Sequence, residues 1–440
     1  MSSLATLLSD MGIRVSGSDA GAASTLAWLA VRGIEVHQGH DAEPPKDVDL
    51  VIASAAVPSD NPELLETRRR GLTVLSHAQA LGALMAARRG LGVAGTHGKS
   101  TTTALIAYIL SVAGRDPTLV GGAEALDFGA SSRLGHGAEL VAEADEYGRR
   151  LLELHPEIAV ITGIEPDHLD YYRDIDEIVA VFRQFVGGMP PDGVLVTSED
   201  EPTLAGMELP RRRVRYGRAR TSDWRLCEHH PTLGGGGDVR IADPTGRERD
   251  YHLRLTGRHN AENALAALVV AELLGIDESD CRSALAAFRG TRRRFETRAR
   301  SRGVWIVDDY AHHPTAVRAT LRAAREVYEG PIWAVFQPHT TNRTAALLDD
   351  FADAFGDADH VLMTPIYRPA GRERAAAQVT TEHLVARMTH RDARALGSLD
   401  EAFSALQPAI RSGALILTLG AGDIVTLADR LAQRTLHGER

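Results

Sequence analysis

The sequence predicts an α/β protein that folds as three domains, each built on a mostly parallel sheet. Apolar runs typical of strands alternate with helical stretches along the 440 residues, and this alternation restarts near residue 90 and again near residue 295. At roughly 100–200 residues per domain, a chain of this length can bury three separate cores. We therefore expect domains over residues 1–88, 89–294 and 295–440.

The first domain has the strand-helix alternation of a Rossmann-like fold without its first strand. Its strand-like runs are RVSGSD, IEVHQGH, VDLVIASAAV and LTVL. The chain opens directly in a helix, with Leu4, Leu7, Leu8 and Met11 on one face, where a dinucleotide-type fold begins with a strand and a glycine turn. Two explanations stay open: the true start lies upstream of Met1, which we favour, or the strand has been lost.

The second and third domains repeat the alternation with more regular strands. The second contains LGVAG, AELVAEADE, IAVITGI and DGVLVTS, and the third contains GVWIVDDYA, PIWAVFQP, HVLMTPIY and GALILTLGAGD. Residues 211–256 instead alternate short strands around a GGGG run at 234–237, which predicts a small antiparallel sheet with a hairpin loop. We expect a mostly parallel central sheet and a Rossmann-like third domain.

Composition excludes several classes of partner. The 49 basic and 59 acidic side chains give a net charge of −10, which does not favour binding to nucleic acid or to an anionic membrane. No apolar run approaches the ~20 residues that span a bilayer, and Asp10 interrupts any signal-peptide core. Cys227 and Cys281 are too few for a disulfide framework or a structural zinc site. We expect a cytoplasmic protein.

A strand at residues 91–94 runs into a glycine turn and a helix in the segment GTHGKSTTT. Backbone N–H groups of such a turn can hold phosphate oxygens, Lys99 can reach the terminal phosphates, and the Ser100 hydroxyl can ligate Mg²⁺. Lysine occurs only at Lys46 and Lys99, although the spacing departs from the usual pattern because Val93 stands in place of glycine. A helix cap made of small residues is the alternative. We predict a P-loop ATP site formed by Gly95, Thr96, His97, Gly98, Lys99, Ser100 and Thr101.

Acidic residues follow two further strands of the second domain. Glu143 and Asp145 come at the end of one strand, and the next is followed by Glu165, Asp167, His168 and Asp170. Carboxyl ends of parallel strands are where ligand-binding and metal-binding acids lie. A solvated acidic turn and a structural histidine are the alternatives. Together with the glycine turn, these side chains predict a site for ATP with Mg²⁺.

Other polar groups recur at element ends. Asn260 and Asn263 lie three residues apart at the start of a helix, where they could contact a nucleotide, although helix capping by Asn260 explains them equally well. The basic run at 292–294 could neutralise a phosphate or be a solvated surface. The segments DDYAHHP and QPHTTNR also follow apolar strands.

Taken together and in this order, GTHGKST, EADE, PDHLD, TGRHNAENALAA, RRRFE, DDYAHHPT, FQPHTTNRT and GAGD resemble the motifs of the Mur ligase family of cell-wall peptide ligases. The resemblance covers essentially the whole chain. It implies three α/β domains that bind, in order, a UDP-sugar, ATP, and the amino acid with the nucleotide.

The resemblance also implies an activity: ATP-dependent joining of L-alanine to the lactyl carboxylate of UDP-N-acetylmuramate, through an acyl phosphate, in peptidoglycan biosynthesis. Ligases that add later amino acids resemble one another in carrying a carbamylated lysine after the DH motif, and no lysine follows Lys99 here. A recycling ligase that adds a ready-made tripeptide, and an inactive nucleotide-binding paralogue, remain alternatives.

Residue roles are carried over from the family's motifs. The resemblance implies Lys99, Glu143, His168, Arg294 and Asp309 as catalytic residues. It implies Ser100, Glu143 and His168 as Mg²⁺ ligands, and it adds Asn260, Asn263 and Arg294 to the ATP site. The implied substrate-binding residues are His168, His312, His313, His339 and Arg343.

The sequence departs from the family pattern at Gly148, Arg150, Gly163 and Thr341, and the glycine turn that contacts the UDP pyrophosphate is missing. We expect these differences to affect the sugar and amino-acid contacts rather than the ATP site. We expect a monomer or a homodimer.

Overall fold

The computed structural model describes residues 1–21, 23–40, 44–168, 171–369 and 378–437. The chain divides into two compact units. Unit 1 comprises Met1–Glu165, Asp176–Tyr216 and Ala266–Cys281. Unit 2 comprises Pro166–Ile175, Gly217–Leu265 and Arg282–Arg440. No helix among the residues that the structure describes is both long enough and apolar enough to cross a lipid bilayer.

Helices and strands alternate along the chain, as the predicted α/β class requires. Over the first 88 residues they are α1 (Ser2–Asp10), β1 (Ser16–Asp19), α2 (Ala23–Ala30), β2 (Glu35–Gln38), β3 (Leu50–Ala53), α3 (Pro62–Arg69), β4 (Thr73–Ser76) and α4 (His77–Ala86). The next elements are β5 (Arg89–Ala94), α5 (Lys99–Val112), β6 (Thr118–Ala125), β7 (Ala130–Arg133), β8 (Glu139–Glu143), the 3-10 helix η1 (Tyr147–Glu153), β9 (Ile158–Ile161), α6 (Ile175–Gly188), β10 (Val194–Ser198), α7 (Pro202–Ala205) and β11 (Arg212–Gly217).

The remaining elements are β12 (Trp224–Pro231), β13 (Gly237–Ala242), β14 (Glu248–Leu253), α8 (Arg258–Leu273), α9 (Glu278–Ala287), β15 (Glu296–Ser301), β16 (Val304–Asp309), α10 (Pro314–Val327), β17 (Ile332–Phe336), α11 (Thr341–Ala346), α12 (Leu348–Ala352), β18 (His360–Met363), α13 (Thr381–Arg387), β19 (Ala393–Ala395), α14 (Leu399–Ala405), α15 (Gln407–Ser412), β20 (Leu415–Leu419) and α16 (Val425–His437).

The main sheet of unit 1 places β5 at its centre. The strand order is β11-β10-β9-β5-β8-β6-β7, parallel except for the antiparallel pairing of β7 with β6. Leu91 and Val93 on β5 are each 1% exposed, as expected for a parallel strand covered on both faces. The carboxyl ends of β5, β8 and β9 therefore lie at one edge of the sheet, where the predicted phosphate loop begins.

The N-terminal region differs in detail from a single Rossmann-like sheet. Among the described residues, its strands form two separate parallel pairs, β1 with β2 and β3 with β4. The alternation of strand and helix that the sequence predicts is present, but each strand spans only four residues.

Unit 2 contains a second, mostly parallel sheet of order β15-β16-β20-β17-β18-β19, in which only β15 is antiparallel. Two apolar clusters pack on it, one containing Trp305 and Phe336 and the other Ile306 and Ile416. The predicted antiparallel segment is confirmed for β12, β13 and β14, with residues 232–236 as the hairpin loop. It begins later than expected, because β11 pairs in parallel with β10.

Strand β16 ends in two buried carboxylates, and Asp308 has an ionic partner. Asp308 is fully buried, and Arg293 donates Nε to its Oδ2 at 2.9 Å. Thr418 donates its hydroxyl to Oδ1 at 2.7 Å. Burial raises the pKa of Asp308, while the Arg293 guanidinium acts against that shift.

We predict that Arg293→Ala destabilises unit 2 by about 3–5 kcal/mol, because it leaves the Asp308 carboxylate buried without its cation. The measurement is chemical unfolding followed by tryptophan fluorescence; three of the four tryptophans, among them Trp305 at 3% exposure, belong to unit 2. Arg292→Ala is the matched control: its side chain is 46% exposed and lies 3.5 Å from Glu296. Arg292→Ala should lower the free energy of unfolding by less than about 1 kcal/mol. Equal losses in the two variants would contradict the prediction.

Candidate functional site

Two glycines shape the turn between β5 and α5, the predicted phosphate loop. Gly95 has a φ of +124° and Gly98, which precedes α5, a φ of +79°. These are conformations that side chains rarely adopt. A Cβ on Gly95 would also lie 2.3 Å from Thr162 Oγ1. The unusual spacing of the motif is thereby explained: Val93 is still inside the strand, and the glycine that the turn requires stands at 95.

Lys99 is held inside this loop with only 13% of its side chain exposed. Its Nζ donates to the Gly95 carbonyl at 2.6 Å and to the two carboxylate oxygens of Glu146 at 3.0 and 2.9 Å. Burial alone would lower the pKa of Lys99, but the neighbouring carboxylates of Glu146, Glu143 and Asp145 raise it above its ordinary value. The side chain is therefore a permanent positive charge at the start of α5.

Ser100 and Glu143, which the sequence predicts as a metal-binding pair, lie side by side. Ser100 Oγ donates to Glu143 Oε2 at 2.8 Å, and the backbone N–H of Gly122 donates to the same oxygen at 2.8 Å. A Cβ on Gly122 would lie 2.5 Å from that oxygen, so glycine at this position leaves space for the carboxylate. The role of Gly122 was missed by sequence analysis.

The other predicted residues of the loop lie beside the end of β9 and in the first turn of α5. The Thr96 backbone N–H donates to the Gly163 carbonyl at 2.8 Å, and Thr96 Oγ1 accepts from the Glu165 N–H at 2.9 Å. His97 Nε2 lies 3.5 Å from Glu165 Oε2. Thr101 is 5% exposed in the first turn of α5. Gly163 therefore contacts the loop through its backbone carbonyl, which accepts the Thr96 N–H.

The segment after β8 carries two of the departures from the family pattern. Gly148 and Arg149 have φ values of +64° and +58° inside η1, and Arg149 donates to Glu177 at 2.8 Å. Arg150 donates to Asp145 at 3.0 Å. The acidic residues of EADE thus have different partners: Glu143 faces Ser100, Asp145 faces Arg150, and Glu146 faces Lys99.

In unit 2, Asp309 is a buried carboxylate at the end of β16. It is 5% exposed and accepts the backbone N–H groups of Phe295 and Ala311, each at 2.7 Å. Burial raises the pKa of Asp309 to about 6, against the opposing effect of Arg294. The Arg294 guanidinium lies over the Tyr310 ring, 5.0 Å from its centroid. The two predicted catalytic residues of this unit are therefore electrostatically coupled.

A second cluster in unit 2 collects several predicted substrate-binding residues around Asp167. Arg343 donates Nη2 to Asp167 Oδ1, and both side chains are nearly buried. Burial alone would raise the pKa of Asp167, but Arg343 holds it far below its usual range. His339 Nδ1 lies 3.4 Å from Arg343 Nη1, and its ring contacts that of His312 with centroids 5.7 Å apart. Burial lowers the pKa of His312, so this imidazole is neutral at pH 7.

His168 follows Asp167 in a left-handed conformation, with a φ of +53°. Its Nε2 lies 3.8 Å from Asp167 Oδ2. Asp170, which the sequence groups with it, lies outside the described residues.

Two further sets of predicted residues have structural contacts. His313 precedes α10, and its Nδ1 accepts the Thr315 N–H at 3.4 Å, so it caps this helix. Asn260 lies inside the first turn of α8 rather than at its cap, and its amide donates to the Thr256 carbonyl at 2.8 Å. Asn263 donates to Asn260 Oδ1 at 3.2 Å. Both asparagines are buried, at 4% and 8% exposure.

A central parallel strand that leads into a phosphate loop, with acidic strand ends beside it, defines the class of phosphate-binding α/β proteins. Comparison with known proteins narrows the class. Residues 1–89 match the description "Mur ligase family, catalytic domain", residues 93–271 match "Mur ligase middle domain", and residues 293–422 match "Mur ligase, glutamate ligase domain". The chain belongs to the Mur ligase family, as its motifs predict.

Relatives of similar length strengthen the assignment. The UDP-N-acetylmuramate--L-alanine ligase of Anaeromyxobacter sp. (strain Fw109-5) is 40% identical over 441 residues, which span 98% of this chain and 94% of the relative. The protein of the same name from Symbiobacterium thermophilum is 41% identical over 447 residues, with 98% and 92% covered. The crystal structure of the UDP-N-acetylmuramate-alanine ligase from Thermotoga maritima has a TM-score of 0.82 and 26% identity, and the match covers 100% of this chain and 97% of that chain.

We predict that Asp309→Asn removes a pH dependence from the stability of unit 2. The pKa of Asp309 is about 6 in the folded protein, above that of an exposed aspartate. A raised folded-state pKa gives stability that is complete below about pH 4 and is lost as the pH rises through about 6. Between pH 4 and pH 7.5 the free energy of unfolding of the unsubstituted protein should therefore fall by up to about 3 kcal/mol more than that of Asp309→Asn.

The measurement is urea unfolding of both proteins at each pH. Contributions of the other titrating groups cancel in the difference between them. A difference that does not change with pH would show that Asp309 ionises like an exposed carboxyl.

Proposed function

We propose that this chain is an ATP-dependent ligase that joins L-alanine to the lactyl carboxylate of UDP-N-acetylmuramate in peptidoglycan biosynthesis. One observation carries the proposal: the Lys99 ammonium and the Ser100–Glu143 pair lie together at the phosphate loop. The relatives named for this reaction match the chain over nearly its whole length. Three family models match successive parts of the chain, residues 1–89, 93–271 and 293–422, which supports boundaries at 1–88, 89–294 and 295–440.

The reaction has two steps. A lactyl carboxylate oxygen attacks the γ-phosphorus of ATP, the bond to ADP breaks, and an acyl phosphate forms. The alanine nitrogen then attacks the acyl carbon, phosphate leaves, and the nitrogen loses a proton to give the amide. Lys99 and the backbone N–H groups at the start of α5 stabilise the negative charge on the phosphates in the first step.

Mg²⁺ fits the oxygen ligands at Ser100 and Glu143. Neighbouring ligands of an octahedral Mg²⁺ lie about 3 Å apart, and the hydroxyl and carboxylate oxygens are 2.8 Å apart. A bound ion would neutralise charge on the phosphates of ATP. We assign His168 to a second ion, and Asn260, Asn263 and Arg294 to the nucleotide.

The unit 2 cluster supplies groups for the amino acid. Arg343 is suited to bind the alanine carboxylate, and His312 and His339 lie beside it as imidazoles. His313 contributes by capping α10. Asp309 has a pKa of about 6, so it is mainly ionised at neutral pH and can attract the alanine amine. ATP and a UDP-sugar as substrates support a cytoplasmic location.

We predict that the chain forms ADP only when ATP, UDP-N-acetylmuramate and L-alanine are all present. The measurement is a coupled ADP assay with each component omitted in turn. ADP formation that ignores the sugar would contradict the substrate assignment. Turnover with a tripeptide in place of L-alanine would favour the recycling ligase, and nucleotide binding without turnover would favour the inactive paralogue.

Lys99→Met should reduce turnover by about 100-fold or more, because it removes a charge that stabilises the transferring phosphoryl group. Lys46→Met is the matched control, since Lys46 is the only other lysine and is exposed. Thermal unfolding of both variants checks the fold, because Glu146 loses its cation in Lys99→Met. Lys99→Arg keeps that charge and should still lose most activity, because a guanidinium has a different shape and reach. Full activity in either Lys99 variant would contradict the role of the loop.

A further inference from the structure

The N–H donors of the Lys99 ammonium face acceptors of the protein in this structure. An ammonium has three N–H donors. The Gly95 carbonyl and the two Glu146 oxygens accept from Nζ at 2.6, 3.0 and 2.9 Å, and the Thr96 carbonyl lies at 3.5 Å. A phosphate oxygen that binds Nζ would therefore compete with these protein acceptors for its N–H donors.

Glu146 is the contact most readily exchanged. The Gly95 carbonyl belongs to the loop backbone, which is fixed by the Thr96–Gly163 and Thr162–Ala94 hydrogen bonds. Glu146 contacts Lys99 through a side chain, and it is only 4% exposed. A nucleotide phosphate at Nζ would lie next to this buried carboxylate, and two buried anions repel each other strongly.

Glu143, by contrast, has a role that is compatible with a nucleotide. Its Oε2 already accepts from Ser100 and from Gly122, and it lies where the proposed cation would bind. Glu146 directs both of its oxygens at Lys99. The two glutamates of EADE therefore differ: one serves the metal ion, and the other holds the lysine.

We propose that Glu146 is an exchangeable counter-ion of Lys99, which nucleotide phosphates must displace when they bind. Glu146 keeps the Lys99 ammonium inside the loop, and this ion pair breaks when a phosphate takes the place of Glu146. The affinity for nucleotide is therefore lower than it would be if Glu146 did not compete for Lys99. Glu146 is a positioning residue in this account, and the inference rests on the nucleotide site of the proposed function.

The test is ADP binding by isothermal titration calorimetry, in buffer containing Mg²⁺, with the full chain and Glu146→Gln. The amide can still accept a hydrogen bond from Lys99 but carries no charge. We expect Glu146→Gln to bind ADP roughly tenfold more tightly, because the competing ion pair and the repulsion of the phosphates are both removed. The KM for ATP should fall to a similar extent, with no increase in kcat.

Two variants control for folding and for charge. Glu146→Asp keeps the charge but withdraws it by one methylene, so it should bind ADP more tightly than the unsubstituted chain and less tightly than Glu146→Gln. Glu157→Gln removes an exposed carboxylate that lies 3.3 Å from Arg89, and its ADP affinity should be unchanged. Thermal unfolding without ADP should show a lower midpoint for Glu146→Gln, with a larger upward shift on adding ADP.

If Glu146 merely oriented Lys99 towards phosphate, replacing it would weaken ADP binding instead of strengthening it. Weaker or equal ADP binding by both Glu146 variants would overturn the inference while leaving the nucleotide site in place. If the unsubstituted chain and every variant fail to bind ADP, the nucleotide site is wrong and the inference falls with it.

Discussion

The structure of the phosphate loop depends on placing one ammonium among several carboxylates at the end of a buried strand. β5 lies in the centre of a parallel sheet and ends at Ala94, at the carboxyl edge of that sheet. At that edge Gly95 and Gly98 permit the tight turn, and α5 begins directly at Lys99. An ammonium without nearby anions would be costly to bury there, and the EADE segment supplies them. The carboxylates that stabilise this buried ammonium also act on any anion that approaches it.

Unit 2 follows the same principle with different residues. Asp308 is neutralised by Arg293, and Asp167 by Arg343. Asp309 has backbone N–H donors and the field of Arg294 instead of a direct ion pair. These lower its pKa, but burial outweighs them and raises the pKa to about 6. A buried carboxylate with this pKa can change its charge near neutral pH, whereas Asp167 stays ionised.

Most of the fold class was predictable from sequence, because periodicity and strand-end motifs are local signals. The sequence predicted the strands and the glycine turn of the phosphate loop, and it placed Lys99, Ser100 and Glu143 near one another. It could not assign Glu146 to Lys99. Three acids lie within four residues, and the direction of each depends on a turn in which Gly148 and Arg149 are left-handed. The Asp167–Arg343 pair joins residues 176 positions apart, which no local pattern specifies. His313 had a usable signal: Pro314 favours the first position of a helix, which makes the preceding residue the cap.

The near absence of lysine has a practical consequence for chemical labelling. Apart from the chain terminus, the protein offers acylating reagents only two primary amines, one exposed at Lys46 and one enclosed at Lys99. A fluorophore or surface tether attached through an amide would therefore be directed to the N-terminal region. The arginine side chains do not react with such reagents, so the loop at the end of β5 would keep its chemistry while the molecule is immobilised.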